Sequence, residues 1–243
     1  MTSVDDWVKW SRSKGLKDSH EYLGGVDAWR QAWRPKRVRV LLVAESHVAE
    51  EKGDLRVRVR SPEGLFEKLP RSYVRLVYCL AYGEDCLCEP KPKRNPGTWQ
   101  FWKIFQAISD CSADAKQPRK GQIMPKVEVL RKLQSKGVWL VDASVAALYS
   151  LSEGRLRVTR YHETIRQSFE EFVWPMMKED PVKQVWIIGR GVGNALTGLK
   201  LKGMPDRITR RWIISQPQDR TPGRFQEDLK RLVRRICVCK KQI

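Results

Sequence analysis

Glu45, Ser46 and His47 follow directly on an apolar run, residues 38–44 (VRVLLVA). Gln216, Pro217 and Gln218 follow a second run, residues 211–215 (RWIIS). A third, 138–141 (VWLV), delivers Asp142, and a fourth, 185–188 (VWII), delivers Gly189 and Arg190. Each run reads as a buried strand that stops abruptly at polar groups. In open parallel α/β sheets ligands bind just beyond the carboxyl ends of the strands. A carboxylate there, such as Glu45, has the place of a group that directs and deprotonates an attacking water. An amide such as Gln216 both donates and accepts hydrogen bonds, whereas Asp142 only accepts. A serine-hydrolase elbow would read G-x-S-x-G around Ser46, and it does not. The Gly189–Asn194 stretch (GRGVGN) misses the dinucleotide-binding spacing, because position 194 is Asn. It reads as a tight turn into a short helix.

The elements that must position these groups alternate strand with helix. Residues 3–33 carry Trp7, Trp10, Tyr22, Val26, Trp29 and Trp33 at helical spacing. Helices are expected over 99–108, 124–136, 163–178 and 224–238, the last with Lys230, Arg231, Arg234 and Arg235 on its outer face. Residues 71–82 are apolar enough for another packed helix. Residues 52–97 as a whole read as a long basic insertion loop, with 56–60 (RVRVR) an exposed strand or loop. The four apolar runs with intervening helices predict an α/β fold, a three-layer α/β/α sandwich around a four-stranded parallel sheet. The expectation is a single domain over 1–243, with 1–35 as an N-terminal helical segment.

The charge is +19, from 47 Lys and Arg against 28 Asp and Glu. An excess of that size implies a polyanionic partner, with nucleic acid first, and disfavours a hydrolase of small nucleotides. No apolar run approaches the ~20 residues of a membrane helix, and residues 1–12 have no secretory pattern. The expected setting is a cytoplasmic monomer associated with the nucleoid. The six cysteines form no C-x-x-C pair, so they read as buried thiols, with neither metal nor organic cofactor expected.

Five stretches in order resemble the uracil-DNA glycosylase superfamily, in its mismatch-specific and deaminated-base branches. They are 41–50 (LLVAESHVAE), 95–110 (NPGTWQFWKIFQAISD), 137–148 (GVWLVDASVAAL), 184–196 (QVWIIGRGVGNAL) and 213–220 (IISQPQDR). They occupy the places of the family's water-activating motif, its N-R-F-W-K-like helix, its base-reading strand, its third strand, and its H-P-S motif. The departures are Ala44 for the leading Gly, His47 for the Pro, Asp142 for the base-reading Asn, and Gln216 for the His.

The resemblance implies a monofunctional DNA glycosylase that flips a base out of duplex or single-stranded DNA and leaves an abasic site. It assigns catalysis to Glu45, Gln216 and His47. It assigns base binding to Asp142, Ser46 and Phe66, the last as a stacking ring, and DNA contacts to Arg220, Arg190 and Gln218. Tyr161 and His162 would reach a sugar substituent. Cytosine presents an N4 amino donor that a carboxylate accepts. Asp142, Gln216 and the insertion therefore point to a modified cytosine, such as the glucosylated hydroxymethylcytosine that the superfamily's bacterial anti-phage enzymes remove. The alternatives are a uracil or deaminated-base repair enzyme, and an inactive DNA-binding module on the same fold.

Overall fold

The computed structural model describes residues 3–60, 69–156, 160–216, 221 and 223–238. In chain order the elements are α1 (Val4–Ser13), α2 (His20–Ala32), β1 (Val40–Ala44), β2 (Arg58–Val59), β3 (Cys88–Glu89), α3 (Trp99–Asp110) and α4 (Ile123–Ser135). There follow β4 (Val138–Asp142), β5 (Tyr149–Ser150), β6 (Gly154–Arg155), α5 (Tyr161–Ser168), β7 (Gln184–Ile188), α6 (Arg190–Leu196), β8 (Ile213–Ile214) and α7 (Arg224–Val238). These residues group into two compact units, each built from three separate segments.

One unit comprises residues 35–45, 99–141 and 177–243 and is organised on the parallel sheet, in the order β4-β1-β7-β8. Every residue of β1 and β4 is buried, as is all of β7 after Gln184. That is why these strands read as continuous apolar runs, without the alternation of a half-exposed sheet. The fold class is α/β with a central four-stranded parallel sheet, consistent with the expected α/β/α architecture. Gly137 turns the chain from α4 into β4 at φ +72°, where a Cβ would lie 2.9 Å from the Arg37 carbonyl. Its own carbonyl takes the amides of Arg39 and Val40 at 2.8 and 3.0 Å, tying that turn to the start of β1.

Helix α3 packs on α4 and on α7. Leu229 and Leu232 of α7 are fully buried, each removal from water stabilising by about 1.5–3 kcal/mol. Buried Lys126 sets its ammonium 4.6 Å from the Trp99 ring centre and 5.3 Å from that of Trp102, so two aromatic faces partly replace its hydration. A disulfide joins Cys111, just past α3, to Cys237 in the last turn of α7. This corrects the expectation of free thiols throughout. The pair is 126 residues apart in sequence and meets only through helix packing, so spacing gives no sign of it. Cys79 and Cys88 are free and buried, and Cys86 is free and exposed.

The other unit comprises residues 1–34, 46–98 and 142–176. Helix α1 opens with a capping box between Ser3 and Asp6, and α2 is capped by the Ser19 hydroxyl, which accepts from the Tyr22 amide. The expected helix over 71–82 does not form. Residues 73–84 are buried without interruption and run as successive turns. Side chains meet the backbone groups that a helix would pair internally. Trp29 donates to the Ser72 carbonyl at 2.7 Å, Trp33 to that of Tyr78, and the Asn95 amide to that of Ala81. The Arg75 amide donates to the Tyr22 hydroxyl at 2.9 Å. Arg75 also forms a buried two-point pair with Asp54, at 2.6 and 2.8 Å. The alternating RVRVR segment contributes β2, antiparallel to β3.

Candidate active site

In the sheet-bearing unit, strand register sets three chain ends in a row. Val43 pairs with Ile187, which puts Glu45 level with Gly189. Ile188 pairs with Ile214, and the Gly189 amide donates to the Ile214 carbonyl at 2.8 Å, which puts Ser215 level with Gly189. Adjacent strands lie about 4.8 Å apart, so the backbones at Glu45 and Ser215 stand roughly 10 Å apart across Gly189. Glu45 and Gln216 are both half-buried at this edge.

Gly189 decides how this row is finished. It sits at φ +97°, ψ 140°, a conformation strained for any residue with a Cβ. A Cβ there would come 3.1 Å from Gln216 Nε2. The bare α-carbon therefore lets the Gln216 amide lie across the end of β7. Gly189→Ala is expected to lower unfolding free energy by about 1–3 kcal/mol in urea denaturation. Gly24→Ala provides the contrast, because in α2 a Cβ at position 24 meets nothing within 4 Å. It is expected to stabilise by about 0.5–1 kcal/mol. Equal effects of the two substitutions would remove the special role given to Gly189.

Arg190 opens α6 beside this row and is exposed, with Nη2 donating to the Thr221 hydroxyl at 3.1 Å. Phe66, Gln218 and Arg220 lie outside the described residues. Tyr161 and His162 begin α5, with the Arg155 guanidinium 4.7 Å from the Tyr161 ring centre.

Ser46, His47 and Asp142 belong to the other unit, where all three have structural partners. The Ser46 hydroxyl accepts from the Leu148 amide at 3.0 Å and donates to the His47 carbonyl at 2.9 Å. His47 is 2% exposed. Its Nε2 lies 3.2 Å from Asp18 Oδ2, and its Nδ1 lies 3.7 Å from Asp142 Oδ2, beyond hydrogen-bond length. Asp142 Oδ2 also takes Arg30 Nη2 at 2.6 Å. Asp18 closes the other side, accepting from the Ala147 amide at 2.8 Å and the Glu50 amide at 3.4 Å. Burial pushes the His47 pKa down, but the nearby Asp142 carboxylate and the hydrogen-bonded Asp18 outweigh it, and the net direction is up. Burial likewise pushes Asp142 up, and Arg30 followed by His47 brings it below the usual range. Asp18 is lowered in the same manner, mainly by His47 against its own burial.

These partners change three assignments. His47 is enclosed between two carboxylates, so it is not offered to a substrate as a catalytic group. The Ser46 hydroxyl is committed to backbone groups, so it is not a free base contact. Asp142 ends its strand as expected, but it is buried and its Oδ2 is held by Arg30, which leaves no open carboxylate edge for a base. Asp18 and Arg30 were missed by motif reading. Arg30 did leave a signal, since it stands four residues after Val26 and eight after Tyr22, on the apolar stripe of α2. Glu51 is similarly occupied, with Oε1 accepting from the amides of Leu151 and Ser152, each at 3.1 Å.

Among the described residues, no three His, Cys, Asp or Glu side chains converge to hold a metal ion. No helix among them is long and apolar enough to cross a membrane.

No family model matches the chain, and comparison with curated proteins and with solved structures finds no match. The resemblance to the uracil-DNA glycosylase superfamily thus rests on the five ordered motifs.

Proposed function

We propose that this chain is a DNA glycosylase that hydrolyses the N-glycosidic bond of a flipped-out base and leaves an abasic site. The observation that carries the reading is the row Glu45–Gly189–Ser215, with the Gln216 amide across its far end. Glu45 would orient a water toward the sugar C1′ and take its proton as the C1′–O bond forms. The C1′–N bond breaks, and the Gln216 amide would hydrogen-bond the departing base without supplying a proton. The +19 charge supports a polyanionic substrate.

The base class we favour is a modified cytosine. Gln216 is compatible with it, because its amide oxygen accepts from an N4 amino group while its NH2 donates to ring N3, but the same amide pairs equally with uracil's N3–H and a ring carbonyl, so the choice rests on the departures from the family motifs. Asp142 no longer adds to that argument. The test is incubation with duplexes carrying uracil, plain cytosine or a hexosylated cytosine, followed by alkaline cleavage at abasic sites and mass spectrometry of released bases. Release of the hexosylated base is expected. Release of uracil alone would overturn the base assignment, and no release from any duplex would overturn the enzymatic reading.

A second reading has its own support. With His47 buried in an ionic network and Gln216 lacking a titrating proton, the site is poor in acid–base groups. A DNA-binding module on the same fold would bind these duplexes and release nothing.

A further inference from the structure

A cavity of about 480 Å³ opens beside the end of β8 in the sheet-bearing unit. Among the described residues, Arg190, Arg210, Arg211, Arg224 and Arg231 line it, with Asp228 as the single acidic one. They come from the start of α6, the turn before β8, and the first two turns of α7. Five guanidinium groups around one concavity repel one another unless an anion offsets them.

The internal partners offset only part of this charge. Asp228 accepts from the Ser215 amide at 2.8 Å and pairs with Arg231 at 2.7 Å. Arg231 also donates to the Ile213 carbonyl at 2.8 Å. That carboxylate and that arginine are therefore fixtures of the wall. Arg211 pairs with Asp206 and lies 5.0 Å from the Trp212 ring centre. Trp212 is itself buried against Trp186 at 5.1 Å, edge to face. Arg210 and Arg224 are exposed, and among the described residues neither guanidinium has an ion-pair or hydrogen-bond partner. The wall thus offers fixed donors at its base and unneutralised guanidinium groups at its rim. Guanidinium forks match phosphate oxygens in geometry and charge.

We propose that this cavity binds the phosphate groups of a DNA strand. Ser215 lines it, and Gln216 is the next residue. A strand with a phosphate held here places an adjoining nucleoside at the Gln216 end of the row. That placement rests on the glycosylase reading, whereas phosphate binding itself does not.

The test is fluorescence anisotropy of a labelled duplex, titrated with wild-type protein and with Arg210→Gln/Arg224→Gln between 50 and 200 mM salt. Arg12→Gln/Arg131→Gln is the charge-matched control, since both residues are exposed and neither lines the cavity. Thermal denaturation checks that each variant is folded. The cavity variant is expected to lose at least tenfold in affinity at 100 mM salt. Its log–log salt slope should fall by about 1.8, at roughly 0.9 per lost duplex phosphate contact. The control should change affinity less than threefold. Equal losses in both variants, or none in the cavity variant, would overturn the proposal. So would inorganic phosphate raising the wild-type melting temperature as much as an oligonucleotide does, because the site would then suit the free ion. Abasic-site formation is read in parallel. Lost binding with no wild-type base release leaves the cavity standing and removes the glycosylase reading. Base release that persists with unchanged affinity in the cavity variant does the reverse.

Discussion

Replacing Asp142 with Asn is expected to destabilise the protein by about 3–5 kcal/mol, against a typical domain stability of 5–15 kcal/mol. The side chain keeps its size, so the effect is electrostatic. Asp142 and Asp18 bring two negative charges into a buried cluster, Arg30 brings one positive charge, and His47 adds a second when protonated. All four residues are no more than 6% exposed. An amide at position 142 leaves the Arg30 guanidinium buried without its carboxylate and weakens the hold on the imidazolium. Breaking a buried pair on one side costs far more than replacing both members by apolar groups. Asp142→Leu combined with Arg30→Met should therefore recover much of the loss, and a double variant no better than Asp142→Asn would argue against an electrostatic origin.

The same cluster sets a pH window. The folded-state pKa of His47 is raised above its ordinary 6.5, so its contribution is complete below pH 6.5 and is lost as pH rises through the folded value. Those of Asp142 and Asp18 are lowered from 3.8, so their contribution is complete above pH 3.8 and is lost as pH falls through the folded values. The network is strongest between these limits. Urea denaturation at pH 5 and at pH 9 should show the wild type more stable at pH 5, with the difference reduced in Asp142→Asn. A difference unchanged by the substitution would assign the pH dependence to other groups.

The sheet was readable because its strands are buried on both faces, which leaves the apolar runs around Leu41, Trp139 and Trp186 with no alternative role. Helices α3, α4 and α7 were readable from periodicity, within two residues of their observed ends. Residues 73–84 were not. Their apolar content is that of a helix, but side chains outside the segment, Tyr22, Trp33 and Asn95, satisfy part of their backbone. The polar strand ends show the same limit. Glu45, Ser46 and His47 are adjacent in sequence and equally suggestive as types. Ser46 meets Leu148 and His47 meets Asp18, and only packing reveals either. The apolar runs located the strands of the sheet, while the partners of individual residues at their ends are encoded by no local pattern.

On the proposed glycosylase reading, Glu45→Gln is expected to lower abasic-site formation by about 10²–10⁴-fold, the range a positioned general base contributes. The substitution keeps the side chain's length and its capacity to accept a hydrogen bond from water, but removes the negative charge and the site for the water's proton. Glu45 lies half-buried at the end of β1, just past five fully buried residues, so the strand's own packing is untouched. DNA affinity should hold within about threefold or rise slightly, because a negative charge leaves a basic surface. The variant therefore separates chemistry from binding. Activity and affinity falling together would mean that Glu45 shapes the fold near Gly189 and does no chemistry. Activity within about fivefold of wild type, under conditions where the wild type turns over, would take Glu45 out of the mechanism. In that case Gln216 would have to supply catalysis by holding the departing base, and substitution of Gln216 would become the larger effect. The ordering of the two variants, Glu45→Gln below Gln216→Ala in residual activity, is what a water-activating carboxylate on β1 requires.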